Sequence, residues 1–171
     1  MLGSRWLGAF IGVALLALLL VLELLSVSAG PPPGQLATGG APPPQAVFGA
    51  QFAAVPTWVK VWMKFQDMVI GALLLFVLWR KEAQIYGLAI LASHIFLFAV
   101  MPIVPIEKLT LGLASLSHFF WIIPLVVFVR AWPSLDKATG YGAWVTVAIF
   151  QIVFSLVFDI PDGIGFIMSL V

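Results

Sequence analysis

Residues 88–130 decide the fold, and they read LAILASHIFLFAVMPIVPIEKLTLGLASLSHFFWIIPLVVFVR. Two apolar runs, 83–103 and 109–129, flank a short segment that holds Pro105, Glu107 and Lys108. Each run is long enough to cross a bilayer, and proline ends a helix because it lacks a backbone N–H. The stretch therefore predicts two antiparallel transmembrane helices joined by a turn.

This hairpin contains the only two histidines of the chain, His94 and His118, and each follows a serine, Ser93 or Ser117. The midpoint between the histidines is Ile106, which lies inside the predicted turn. Because the two helices run in opposite directions, we expect both imidazoles at about the same depth in the membrane.

The composition is that of a membrane protein. Of the 171 residues, 63% are hydrophobic and 9% are charged, whereas soluble domains average about a quarter charged residues. We therefore predict an integral membrane protein whose main surroundings are the lipid bilayer. The net charge of +1 gives no basis for a nucleic-acid partner.

Several kinds of chemistry are excluded by what the sequence lacks. It has no cysteine, which excludes disulfides, thiol catalysis and cysteine-ligated metals. It also has no glycine-rich phosphate loop and no HExxH motif. The sequence therefore identifies no catalytic residue, which favours a non-enzymatic role but does not decide whether the protein is an enzyme.

The predicted fold is an all-α membrane protein with five transmembrane helices. The first helix lies in residues 1–28, and we expect a retained signal-anchor rather than a cleaved signal peptide. The last four form an up-down antiparallel four-helix bundle within residues 58–158. We expect the tail, 159–171, to lie in the membrane interface because it is too short to cross again. The predicted bundle helices are 58–79, 83–103, 109–129 and 141–158.

Residues 29–57 differ from the rest of the chain. They carry no charge and contain two triple-proline runs, 31–33 and 42–44. Such runs favour the extended polyproline II conformation. We predict an extracytoplasmic linker on the membrane surface, with a docking strap for a partner protein as the alternative.

The basic residues set the orientation, because cytoplasmic loops are enriched in lysine and arginine. We predict a cytoplasmic N-terminus, an external C-terminus and a location in the cell inner (plasma) membrane. In this orientation five basic residues are cytoplasmic: Arg5, Arg80, Lys81, Arg130 and Lys137. Three are outside: Lys60, Lys64 and Lys108.

Each helix of the bundle carries one strongly polar side chain near its middle. At about 1.5 Å per residue, these side chains lie about 15–18 Å from the cytoplasmic boundary. Polar groups without partners are costly in lipid, so we expect them to face one another as one polar layer. The layer consists of Asp67, His94, His118 and Gln151, with Ser93, Ser115 and Ser117 nearby.

Three functions are compatible with this layer. In the first, hydrogen bonds across the layer fix the register of the helices. The protein would then be a non-catalytic subunit or accessory (assembly) factor of a larger membrane complex. Its partners would be other membrane subunits or further copies of itself, and this is the function that we predict.

The second function is electron transport. His94 and His118 are candidate axial ligands of heme b, or would hold a quinone or a pigment. Against heme, no arginine lies near the layer to pair with the propionates, which leaves Lys60 and Lys64, towards the outside, as their candidate partners.

The third function is a small proton- or metal-coupled transporter. Asp67, with Lys64 nearby and a histidine as proton acceptor, would form a proton relay. Asp67, His94 and His118 are also candidate metal ligands, as two histidines and one carboxylate. Against transport, the sequence lacks the inverted repeat of many transporters.

Overall fold

A computed structural model of the protein describes residues 42–171. The predicted first helix, in residues 1–28, and the linker up to residue 41 lie outside the described residues. All secondary-structure elements of the described part are α-helices or 3-10 helices. Its α-helices are α1 (Pro44–Ala54), α2 (Thr57–Leu73), α3 (Lys81–Val100), α4 (Gly112–Ser117), α5 (Ile122–Ala131) and α6 (Gly140–Leu170).

Three of the helical segments are long and apolar enough to cross a membrane. They are Lys81–Val100, Gly112–Ser134 and Gly140–Leu170, with 20, 23 and 31 residues. The middle segment contains α4 and α5, joined by a 3-10 turn at His118–Trp121. The described residues confirm the prediction of an all-helical fold, and these three segments are compatible with a multi-pass membrane protein. The number of five spans and their orientation stay predictions.

Helix α2 is shorter than predicted. The regular α-helix ends at Leu73, and the chain continues in tight turns towards residue 79. In these turns the amides of Leu74, Leu75 and Phe76 bond to carbonyls three residues back. Helical turns therefore fill most of the predicted range 58–79, although only its first part is regular.

Helix α1 replaces the extended conformation that we expected after the second triple-proline run, 42–44, whereas the extracytoplasmic linker over residues 29–57 stays a prediction. Residues 44–54 are α-helical, with Pro44 in the first turn. Proline is well tolerated there because the first N–H groups of a helix have no partner within the helix. The helix ends before Pro56, and its Phe48 is buried against Met101, Leu109 and neighbouring side chains.

Helix α6 corrects the prediction that the last helix ends at residue 158. It continues through Pro161 to Leu170. Close packing against α4 accompanies the extension. A Cβ atom added at Gly163 would lie 3.2 Å from the backbone of Leu116, and one at Gly112 would lie 2.8 Å from the carbonyl oxygen of Asp162. The interfacial position of residues 159–171 stays a prediction.

The core has two parts, one towards each end of the bundle. An aromatic cluster packs in edge, tilted and stacked contacts, and Tyr86 is fully buried within it. The second part lies beside the hairpin turn and brings α1 into contact with the bundle. The aromatic cluster comprises Phe76, Tyr86, Phe128, Tyr141 and Trp144.

Candidate functional site

A cavity of about 500 Å³ lies between α2, α3, α4 and α6. Phe52, Val55 and Pro56, at the end of α1, line it beside the four bundle elements. We call it the bundle cavity. Its ionisable side chains among residues 42–171 are Asp67, His94, His118, Asp159 and Asp162.

The hairpin places both histidines in this cavity. Ser93 donates a hydrogen bond of 2.9 Å from Oγ to the carbonyl oxygen of Ser117, so these two residues face each other. His94 comes one residue after Ser93, and His118 comes one residue after Ser117. A helix turns by about 100° per residue, and the two helices run in opposite directions. Both histidine side chains therefore lie on the same side of the helix pair.

His118 is held by a carboxylate from α6. Its Nδ1 lies 2.8 Å from Oδ2 of Asp159, and both side chains are mostly buried, with exposures of 25% and 17%. With Nδ1 as the donor to the carboxylate, Nε2 is the ring nitrogen that can act on a ligand.

The ring of His118 also stacks on the indole of Trp121. The ring centroids are 4.1 Å apart and the planes differ by 26°. In a 3-10 turn, side chains three residues apart lie almost over one another. Pro124 follows this turn, and its missing N–H removes a helical bond to Phe120. The local sequence thus sets the orientation of His118.

His94 is oriented by its own helix. Its Nδ1 donates a hydrogen bond of 2.8 Å to the carbonyl oxygen of Ile90, one turn earlier. The acceptor is the carbonyl, so the proton of this bond belongs to Nδ1. Both histidines therefore use Nδ1 for a structural hydrogen bond.

Asp67 and the middle of α2 form the opposite wall. Asp67 lies 3.4 Å from the ammonium group of Lys64, in a pair that is largely exposed. Gln66 and Trp62, on the same helix, both donate hydrogen bonds to Oγ of Ser155 on α6. These bonds join α2 to α6 beside the cavity.

Gln151 does not line the bundle cavity, unlike the other three members of the predicted layer. It is fully buried, and its Oε1 accepts a 2.6 Å hydrogen bond from the hydroxyl of Tyr86. The structure thus brings Asp67, His94 and His118 to one cavity, together with Ser93, Ser115 and Ser117. Gln151 lies instead beside the aromatic cluster, to which its bond with Tyr86 joins it.

Sequence reasoning missed Asp159 and Trp121. Ending the last helix at residue 158 placed Asp159 in the tail, 159–171, that we expected in the membrane interface. If the last helix had been predicted to continue through Pro161, Asp159 would have been placed beside the first part of the predicted span 109–129. For Trp121 the signal was its position three residues after His118. That spacing brings the two rings into a stack only in a 3-10 turn, which the sequence did not predict.

The suggested metal triad is not formed. Within residues 42–171, no group of three histidine, aspartate or glutamate side chains could hold a metal ion. Asp67, His94 and His118 share a cavity without forming a common coordination site.

Heme b also fits the cavity poorly. Histidines whose Nδ1 donates to a carbonyl or carboxylate are suitable axial ligands through Nε2. However, no lysine or arginine of the described residues lines the cavity, whereas three aspartates do. The propionates of heme would face like charges, which is unfavourable in a site of low polarity.

No protein-family model, curated protein or solved structure matches this chain.

Proposed function

We propose that the protein is a ligand-binding, non-catalytic subunit or accessory factor of a larger complex in the inner membrane. In this proposal the N-terminus is cytoplasmic and the chain crosses the membrane five times. The bundle cavity is the observation that carries the proposal. Its volume of about 500 Å³ is within the usual range of small-molecule sites, about 300–1,000 Å³.

The lining supports ligand binding. Most of its side chains are apolar or aromatic, and a few polar groups converge from different helices. This combination is typical of small-molecule sites, in which polar groups fix the orientation of the ligand. The bond from His118 to Asp159 and the stack on Trp121 hold one of these groups in a defined orientation.

The exposed surface supports a role among lipids and other membrane subunits. Large apolar side chains are exposed on every long helix, among them Leu88, Ile95, Ile123, Val153 and Val157. Exposed apolar faces of this extent are covered by lipid or by partner proteins.

Native mass spectrometry in a mild detergent tests the proposal. We expect a bound small molecule and an assembly larger than one chain. Ala114 lines the cavity, so Ala114→Trp should displace the small molecule by filling its space. Ala99 is exposed on α3, and Ala99→Trp is the matched control. A small molecule that both variants retain equally would contradict binding in the bundle cavity.

A small proton-coupled transporter is the second candidate. It is favoured by Asp67, which lines the cavity and pairs with Lys64, because intramembrane carboxylates often mark ion or solute paths. Proteoliposomes with a pH gradient test it. Asp67→Asn should abolish proton-dependent solute flux, whereas flux that continues unchanged would exclude this role for Asp67.

A further inference from the structure

The charge of the bundle cavity is one-sided. The carboxylates of Asp67, Asp159 and Asp162 line it, and the described part of the chain contributes no lysine or arginine to its walls. Two of these carboxylates already have a basic partner: Lys64 lies 3.4 Å from Asp67, and the His118 ring lies 2.8 Å from Asp159. When both imidazoles are neutral, the lining itself is negative.

Aromatic rings form much of the remaining wall. Trp58, Trp62, Trp121 and Phe158 line the cavity together with Phe52 from α1. The face of an aromatic ring carries negative electrostatic potential and attracts a cation, most strongly when water is excluded. The walls and the carboxylates therefore favour the same sign of ligand charge.

Trp121 contributes apolar surface to this wall and no polar group. Its side chain is 3% exposed, and its indole N–H, which has no hydrogen-bond acceptor within residues 42–171, is closed off from the cavity. The recognition of a ligand therefore depends on the carboxylates and the aromatic rings.

We propose that the bundle cavity binds a lipophilic organic cation, such as a protonated amine with an apolar body. This proposal rests on the proposed ligand-binding function and specifies the class of ligand. The apolar body packs against the aromatic walls, and the cationic group lies between the carboxylates of α2 and α6. Anions are excluded by the same charges.

Three probes of similar shape test the charge preference: tetraphenylphosphonium, neutral triphenylphosphine oxide and tetraphenylborate. The full-length protein is placed in nanodiscs of neutral lipid, and empty nanodiscs give the background. Binding is followed by calorimetry and by the fluorescence of the tryptophans that line the cavity. We expect saturable binding of the cation, weaker binding of the neutral probe and none of the anion.

Charge-removing variants locate the site. Asp67→Asn and Asp159→Asn should each weaken cation binding by about tenfold, since each removes a nearby attractive charge. Asp136 lies outside the cavity, in the loop before α6, so Asp136→Asn should bind as the unmodified chain does. Circular dichroism and gel filtration confirm that each variant is folded.

The outcomes separate the two proposals. If all three probes bind equally well and Ala114→Trp weakens the binding of each, the proposal of a cationic ligand is wrong but the cavity remains a ligand site. The same conclusion follows if no probe binds but a co-purified molecule is present and is lost in Ala114→Trp. Failure of every probe without any co-purified molecule overturns both. Cation binding that neither aspartate variant weakens also overturns the cationic class.

Discussion

His118 and Asp159, 41 residues apart in the chain, meet through a 2.8 Å contact between Nδ1 and Oδ2. This contact joins the 3-10 turn of the hairpin to the second half of α6. It holds the imidazole in one orientation at the wall of the bundle cavity. The stability of the bundle should therefore depend on Asp159 more than on the other aspartate of the same helix.

Asp159→Ala should lower the free energy of unfolding by about 1–3 kcal/mol, because Nδ1 of the mostly buried His118 loses its acceptor. Reversible unfolding in mixed micelles measures this change. Asp162 is exposed, and Asp162→Ala should have a much smaller effect. Equal losses in the two variants would show that the contact with His118 contributes little.

Gln51→Leu should release α1 from the bundle. The Gln51 side chain donates a 2.8 Å bond to the carbonyl oxygen of Leu109 and accepts a 2.9 Å bond from the amide of Leu111. Leucine has a similar size but makes neither bond. Hydrogen exchange of residues 44–54 should become faster, while α3 and α6 stay protected.

Gln45 is the matched control for this experiment because it is exposed at the start of the same helix. Gln45→Leu should leave the exchange of α1 unchanged. Unchanged exchange in Gln51→Leu would mean that the burial of Phe48 holds the helix in place without the two hydrogen bonds.

Gly112→Ala should destabilise the packing of α4 against α6. The added methyl group would lie 2.8 Å from the carbonyl oxygen of Asp162 and from Cβ of Phe166. Overpacking of this kind costs about 1–3 kcal/mol. Gly165, where an added Cβ meets nothing within 4 Å, provides the control. Gly165→Ala should unfold at the same denaturant concentration as the unmodified chain or at a slightly higher one, because alanine favours the helix over glycine.

Tyr86→Phe should lower stability, because it leaves Oε1 of the fully buried Gln151 without its 2.6 Å donor. The expected loss is about 1–3 kcal/mol in the free energy of unfolding. Tyr141→Phe, which removes a partly buried bond to Glu82, should cost less. A smaller loss at Tyr86 than at Tyr141 would contradict the structural role of Gln151.

The purified protein should show no Soret band, because its cavity lining is unfavourable for the propionates of heme. A visible spectrum of the membrane extract tests this directly. A Soret band that disappears in both His94→Ala and His118→Ala would show that the cavity holds heme in spite of its charge.

The part of the fold that the sequence predicted follows from the lipid environment. In a bilayer every backbone polar group must be paired within the structure, so long apolar runs become helices. The hairpin and the shared cavity of His94, His118 and Asp67 follow from this rule and from depth along the helix axis. The rule does not say which of the polar side chains meet, and Gln151 pairs with Tyr86 instead.

At two positions, Pro44 and Pro161, the prediction that proline interrupts a helix was wrong. At Pro44 it begins a helix, because the first turn does not need its N–H. At Pro161 the helix continues, as proline in membrane helices does where neighbouring elements support the backbone. The local sequence does not contain this support, which comes from the close packing of α4. Asp159 was therefore missed as the partner of His118.

The attachment of α1 has a mechanical consequence. Gln51 binds the backbone at Leu111, and His118 lies seven residues further along, about two helical turns away. The triple-proline run 42–44 leads directly into α1, and Phe52 of α1 lines the bundle cavity. A displacement of α1 would therefore change both the wall of the cavity and the contact at Leu111.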